Sequence, residues 1–96
     1  MMPKRLPREA LIKLAREQVS CDLAGEAVIL NLKSGQYFGL NEIGTRIWNL
    51  IQEPNTVGAV FDTLLKEYDV TIDQLERDLC ALLEQMAENE LIKVEQ

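Results

Sequence analysis

The run GEAVILNLKSGQYFGLNEIGTRIWNLI, residues 25–51, changes its apolar spacing once, from every second residue to every third or fourth. Period two belongs to a strand and a period near 3.6 to a helix, so the run commits the chain to a small sheet that leads directly into a helix. Residues 27–32 place Val28, Leu30 and Leu32 on one face, with Ile29 apolar on the other. Lys33-Ser34-Gly35 is a short hairpin loop in which Gly35 supplies a positive φ. Residues 36–40, Gln36, Tyr37, Phe38, Gly39 and Leu40, form the next strand. If Phe38 and Leu40 point to the core, strand parity sends Tyr37 and Gly39 to the opposite face, beside Ile29. Upstream, Val19, Cys21 and Leu23 alternate with Gln18, Ser20 and Asp22 as in a half-buried strand, and Ala24-Gly25-Glu26 turns it back. The expected unit is a three-stranded antiparallel meander.

Three helices follow. Asn41 is the N-cap of the first, over residues 42–51, whose stripe is Ile43, Ile47, Leu50 and Ile51; Trp48 is read as a core or core-edge side chain. Glu53-Pro54-Asn55 breaks it, and Thr56 caps a second helix carrying Val57, Val60, Phe61, Leu64 and Leu65 as far as about Tyr68. Thr71 opens a third, with Ile72, Leu75, Leu79, Leu82, Leu83 and Met86 in its stripe. Leu91, Ile92 and Val94 end the chain as a short extended piece. The expected class is α+β in the order β-β-β-α-α-α. Residues 1–16 read as a basic, irregular arm with one helical turn after Pro7, and residues 17–96 as a single domain.

Charge narrows the function. The chain carries a net charge of −6, and Lys4, Arg5, Arg8, Lys13 and Arg16 hold five of its ten cations. Only Glu9 of the sixteen acids lies that early, so residues 17–96 set five cations against fifteen acids. Such a body repels phosphate backbones and argues against nucleic acid. No stretch approaches the roughly 20 apolar residues of a membrane span, and the charged start is not followed by a signal-peptide core. Histidine is absent, and Cys21 and Cys80 stand far apart. Disulfide, zinc site and base-activated nucleophile are therefore poorly supported, and two reduced thiols in a cytoplasmic protein are expected. Asp69, Asp73, Glu76, Asp78 and Glu84 read as solvated helix and turn faces, and no phosphate-binding glycine loop occurs. The expectation is a protein without catalysis, cofactor or metal. What remains is an edge: residues 36–40 contain neither charge nor proline, so the third strand is either open to an added strand or, at five residues, too short to need protection.

GEAVILNL, SGQYFGLNEIGTRIWNLI, TVGAVFDTLLKEYDV and the closing ENELIKV together resemble the PqqD-like family, over about residues 18–94. These are the small peptide chaperones of pyrroloquinoline-quinone biosynthesis and their relatives, the recognition elements for ribosomally made, post-translationally modified peptides (RiPPs). The stand-alone versions of lasso-peptide systems are especially similar. The resemblance implies a winged-helix-like fold, a three-stranded sheet packed on three helices. It also implies that the leader of a precursor peptide binds between the third strand and the third helix as a fourth antiparallel strand. The leader is then presented to a modifying enzyme: a radical-SAM protein, a cyclase or a leader peptidase. By position the implied peptide-binding residues are Gln36, Tyr37, Phe38, Gly39 and Leu40, with Gln74, Asp78, Ala81 and Gln85 on one flank of the third helix. Asp78 and Gln85 would make polar contacts and Ala81 would leave room for a leader side chain; Glu76, Cys80, Leu83 and Ala87 form the flank not chosen. The arm before residue 16 is longer and more basic than the family pattern requires, and a stand-alone chain needs a second surface to find its enzyme.

Two other classes stay open at this point. A winged-helix DNA-binding regulator would insert its third helix in a groove, yet that region carries Asp73, Glu76, Asp78, Glu84, Glu88 and Glu90 against Arg77. A structural dimer subunit would use the apolar patch around Ile29 and Tyr37.

Overall fold

The computed structural model describes residues 6–95. In chain order the elements are β1 (Leu11–Leu14), β2 (Gln18–Leu23), β3 (Glu26–Asn31), β4 (Tyr37–Gly39), α1 (Glu42–Leu50), β5 (Asn55–Thr56), α2 (Val57–Glu67), α3 (Ile72–Glu88) and β6 (Ile92–Glu95). The strands form two three-stranded antiparallel sheets, β2-β3-β4 and β5-β1-β6.

The first sheet is the expected meander. Gly35 at its tip has φ +73°, and its N–H donates to the Asn31 carbonyl at 2.8 Å. The helix starts also follow the capping chemistry read from sequence. Asn41 Oδ1 accepts from Gly44 N–H at 2.8 Å, Thr56 Oγ1 from Ala59 N–H at 3.1 Å and Thr71 Oγ1 from Gln74 N–H at 3.2 Å.

The second sheet corrects the β-β-β-α-α-α order. Residues 11–14, expected within an irregular arm, are the central strand of β5-β1-β6, and Ala10 and Ile12 are fully buried. A turn precedes them, closed by Ala10 N–H donating to the Pro7 carbonyl at 3.1 Å. The physical reason is non-local pairing: β1 meets β6 with Leu11 opposite Glu95 and Leu14 opposite Ile92, and Val57 N–H donates to the Ala10 carbonyl at 3.0 Å. Arg8 clamps the segment further, donating to Asp62 Oδ2 at 2.8 Å and lying 5.9 Å from the Phe61 ring centroid. Lys4 and Arg5 of the expected arm lie outside the described residues.

The faces of the first sheet also differ from the expected parity. Ala27, Ile29 and Asn31 are the buried face of β3, while Leu32 is 55% exposed. Ile29 pairs with Phe38, and Tyr37 pairs with Leu30, so Ile29 and Tyr37 lie on opposite faces. The apolar patch expected around Ile29 and Tyr37 does not form. β2 is likewise inverted, because Ser20 sits opposite Ile29 and its Oγ accepts from Trp48 Nε1 at 3.1 Å. Its polar residues therefore turn toward the core, and Val19 and Leu23 stand 52% and 60% exposed. Thr45 fixes this choice of face: its buried hydroxyl accepts from Ala27 N–H at 2.8 Å and anchors β3 on α1.

The core joins both sheets to the helices, with Ile12, Ile29, Ile47, Trp48, Ile51, Val60, Leu64, Leu79, Leu83, Leu91 and Ile92 all nearly inaccessible. One buried polar side chain, Asn31, binds the hairpin to the end of α3. Its Nδ2 donates to the Asn89 carbonyl at 2.8 Å, while Oδ1 accepts from the N–H groups of Lys33 at 2.9 Å and Ser34 at 3.2 Å.

Ile12→Ala is expected to cost about 2–5 kcal/mol in urea or thermal unfolding, because it opens a cavity in the core. A solvated arm would give a change below about 0.5 kcal/mol. Asn31→Leu is expected to cost roughly 2–3 kcal/mol, since it strands two turn amides and the Asn89 carbonyl.

Candidate peptide-binding cleft

β4 is an edge strand, and among the described residues its backbone is paired on one side only. Asn31 N–H donates to the Gln36 carbonyl at 2.9 Å and Leu40 N–H to the Ala27 carbonyl at 2.9 Å. Hydrogen-bonded pairs alternate along an antiparallel ladder, so residues 36, 38 and 40 face β3. The N–H and C=O groups of Tyr37 and Gly39 then point away from the sheet. Gly39 has no heavy atom of the described residues within 4 Å of where a Cβ would stand, so the outer face is open at this position.

Beyond the edge lies a cleft of about 330 Å³, lined by Tyr37, Phe38, Gly39 and Leu40 and, across from them, by Leu82, Gln85, Met86, Asn89 and Leu91. Leu82, Gln85, Met86 and Asn89 recur at helical spacing, which brings them to one face of the end of α3. A second, more apolar recess of about 240 Å³ shares a wall residue with the cleft. Asn41, Ile43, Gly44, Ile47, Tyr68, Val70, Leu75, Asp78, Leu79 and Leu82 line it, so Leu82 belongs to both cavities. From Asp78 to Asn89 the helix rises about 16 Å, the length of about five extended residues.

The residues implied by sequence are distributed unevenly along this wall. Tyr37, Phe38, Gly39, Leu40 and Gln85 line the cleft itself. Asp78 borders the apolar recess, where Gln74 Nε2 donates to its Oδ2 at 3.3 Å. Gln74 and Ala81 line neither cavity, and Gln36 enters through its carbonyl bond to β3. On the flank not chosen, Cys80 and Leu83 are buried in the core. Leu82, Met86, Asn89 and Leu91, together with Ile43, Tyr68 and Val70, are lining residues that sequence reasoning did not assign to a site. The available signal was the breadth of the α3 stripe, which is wider than one packing partner needs.

Electrostatics leave the cleft lightly charged. One bidentate ion pair stands outside both cavities, where Arg46 Nε and a terminal guanidinium nitrogen donate to the two oxygens of Glu67, both at 2.8 Å. This fork joins α1 to the end of α2, next to Tyr68. The hydrogen bond from Arg46 holds the Glu67 carboxyl below its ordinary pKa, so the link is present at neutral pH and is lost as pH falls through that depressed value.

The described residues contain no helix long and apolar enough to cross a membrane. No curated protein matches the chain. Two solved structures resemble it closely. One, "TbiB1 in Complex with the TbiA(beta) Leader Peptide", is 37% identical with a TM-score of 0.80, over 84% of this chain and 94% of that one. The other, "Lasso peptide synthetase B1 complexed with the leader peptide", is 27% identical with a TM-score of 0.77, over 85% of this chain and 96% of that one. The family model described as "Coenzyme PQQ synthesis protein D (PqqD)" matches residues 26–92, and with that match across most of its length the chain belongs to the PqqD family.

Proposed function

We propose that this protein binds the leader segment of a ribosomally made precursor peptide as an added antiparallel strand on β4 and presents it to a modifying enzyme. The observation that carries the proposal is the free edge of Tyr37 and Gly39, facing a cleft walled by α3. Main-chain bonds to such an edge supply affinity without sequence preference, and flanking pockets supply selectivity. Two relatives with the same fold are each described in complex with a leader peptide, which supports the same class of guest here.

The geometry assigns directions. A guest antiparallel to β4 begins near Leu40 and Asn41, beside the apolar recess, and leaves near Tyr37. Its residues opposite Phe38 point into the cleft, and those opposite Tyr37 and Gly39 point to the outer face of the sheet. That outer face is itself apolar. Val19, Leu30 and Tyr37 form one cross-strand row and Cys21, Val28 and Gly39 the next. Exposed apolar area of this kind marks an interaction surface, and it is the surface we assign to the modifying enzyme, whether a radical-SAM protein, a cyclase or a leader peptidase. In this reading the fold is winged-helix-like, the protein is cytoplasmic, and its role is to hold and orient a substrate rather than to react with it. The acidic surface of α3 disfavours the alternative of a DNA-binding regulator.

Titration with the TbiA(beta) leader peptide is expected to move the amide signals of residues 36–40 and of the second half of α3. Gly39→Pro is expected to weaken that binding at least ten-fold, by removing an outward donor and placing a ring where the guest backbone approaches. It should cost less stability than Leu40→Ala, whose side chain packs against the core. Binding lost by both variants only in proportion to unfolding would place the site elsewhere.

A further inference from the structure

On the far side of the α3 C-terminus from the cleft lies a second groove of about 330 Å³, lined by Ala15, Arg16, Glu17, Asn31, Lys33, Ala87, Glu90, Ile92 and Lys93. Its charges are Arg16, Lys33 and Lys93 against Glu17 and Glu90, an inversion of sign on a body of net charge −6. Lys33 Nζ stands 3.9 Å from Glu90 Oε2, a long and exposed pair. Arg16 and Lys93 have no ion-pair partner among the described residues. Two backbone bonds hold the walls in place: Ala15 N–H donates to the Leu91 carbonyl and Leu32 N–H to the Glu17 carbonyl, each at 2.9 Å. The groove thus gathers three cations against two carboxylates, a net charge of +1, with Arg16 and Lys93 outside any ion pair among the described residues.

Its location ties it to the cleft. Asn89 lines the cleft and the next residue, Glu90, lines the groove, while Asn31 holds the Asn89 carbonyl between them. Lys33 sits on the turn that leads into β4, at the end where an antiparallel guest leaves. From an added fourth strand back to β3 is two strand spacings, about 10 Å, which three extended residues cover. We propose that this groove is a second subsite for the same guest, holding a carboxylate side chain about three to five residues C-terminal to the segment paired with β4. The inference rests on the strand-addition reading and deepens it, because it names the chemistry that the precursor carries next: aspartate or glutamate. The cleft wall is neutral, so the groove adds a charge-based selection that the edge alone does not make.

The probe is the TbiA(beta) leader peptide, trimmed to the segment that pairs with β4 and extended by Gly-Ser-Gly-Asp-Glu-Asp or by Gly-Ser-Gly-Asn-Gln-Asn. Affinities are measured at low salt with the parent protein, with R16Q/K93Q, and with K66Q/R77Q, which loses the same charge from exposed positions that do not line the groove. The acidic extension is expected to bind the parent and K66Q/R77Q about five-fold more tightly than the amide extension, and R16Q/K93Q less than two-fold more tightly. The difference should vanish in high salt. Equal gains in all three proteins, or equal loss in both double variants, would overturn the subsite while leaving strand addition intact. Failure of the unextended peptide to bind the parent would defeat the strand-addition reading, and the subsite with it.

Discussion

The spacing between β4 and α3 is held by one buried amide. Asn31 spends both ends of its side chain on backbone, closing the Lys33–Ser34 turn with its oxygen and gripping the Asn89 carbonyl with its nitrogen. The hairpin that ends in β4 and the last turn of α3 are thereby fixed relative to each other, and the cleft is the space left between them. A buried primary amide of this kind is costly unless all its bonds are made, and here no buried side-chain polar atom among the described residues lacks a partner. A rigid cleft beside a free strand edge lowers the entropy cost of adding a guest strand, since only the guest has to be ordered.

β3 and β4 of the sheet that supplies this edge carry apolar side chains on both faces, which is unusual for an antiparallel meander exposed on one side. Ala27 and Ile29 satisfy the core, and Trp48 is accommodated by a hydrogen bond to Ser20 rather than by an apolar neighbour on β2. That arrangement releases Val19 and Leu23 to solvent together with Tyr37. An added strand would extend the outer face by its own alternate side chains, so peptide binding and enlargement of the apolar surface are physically coupled. The polar side of β2 facing inward is thus the structural counterpart of the exposed apolar face outside.

Much of this was legible in the sequence where the signal is local. The caps at Asn41, Thr56 and Thr71, the positive φ at Gly35 and the meander itself follow from residues within a few positions of one another. The second sheet was not legible in this way. β1 is four residues long, β5 is two, and the partner strand β6 lies some eighty residues along the chain, so no periodicity announces their pairing. Parity failed for a related reason: with Val28, Ile29 and Leu30 all apolar, the pattern does not say which face is buried, and the decision comes from Thr45 on α1. On α3 the same breadth of apolar stripe hid Leu82 and Met86, which border the cleft as well as packing on the core.

The central claim is that a guest backbone pairs with the outward groups of β4, and amide hydrogen exchange on the peptide-bound protein tests it most directly. Phe38 and Leu40 already donate toward β3 and should exchange slowly with or without peptide, whereas Tyr37 and Gly39 should exchange fast in the free protein and slow sharply on binding. Bound peptide with no added protection at Tyr37 and Gly39 would contradict the account.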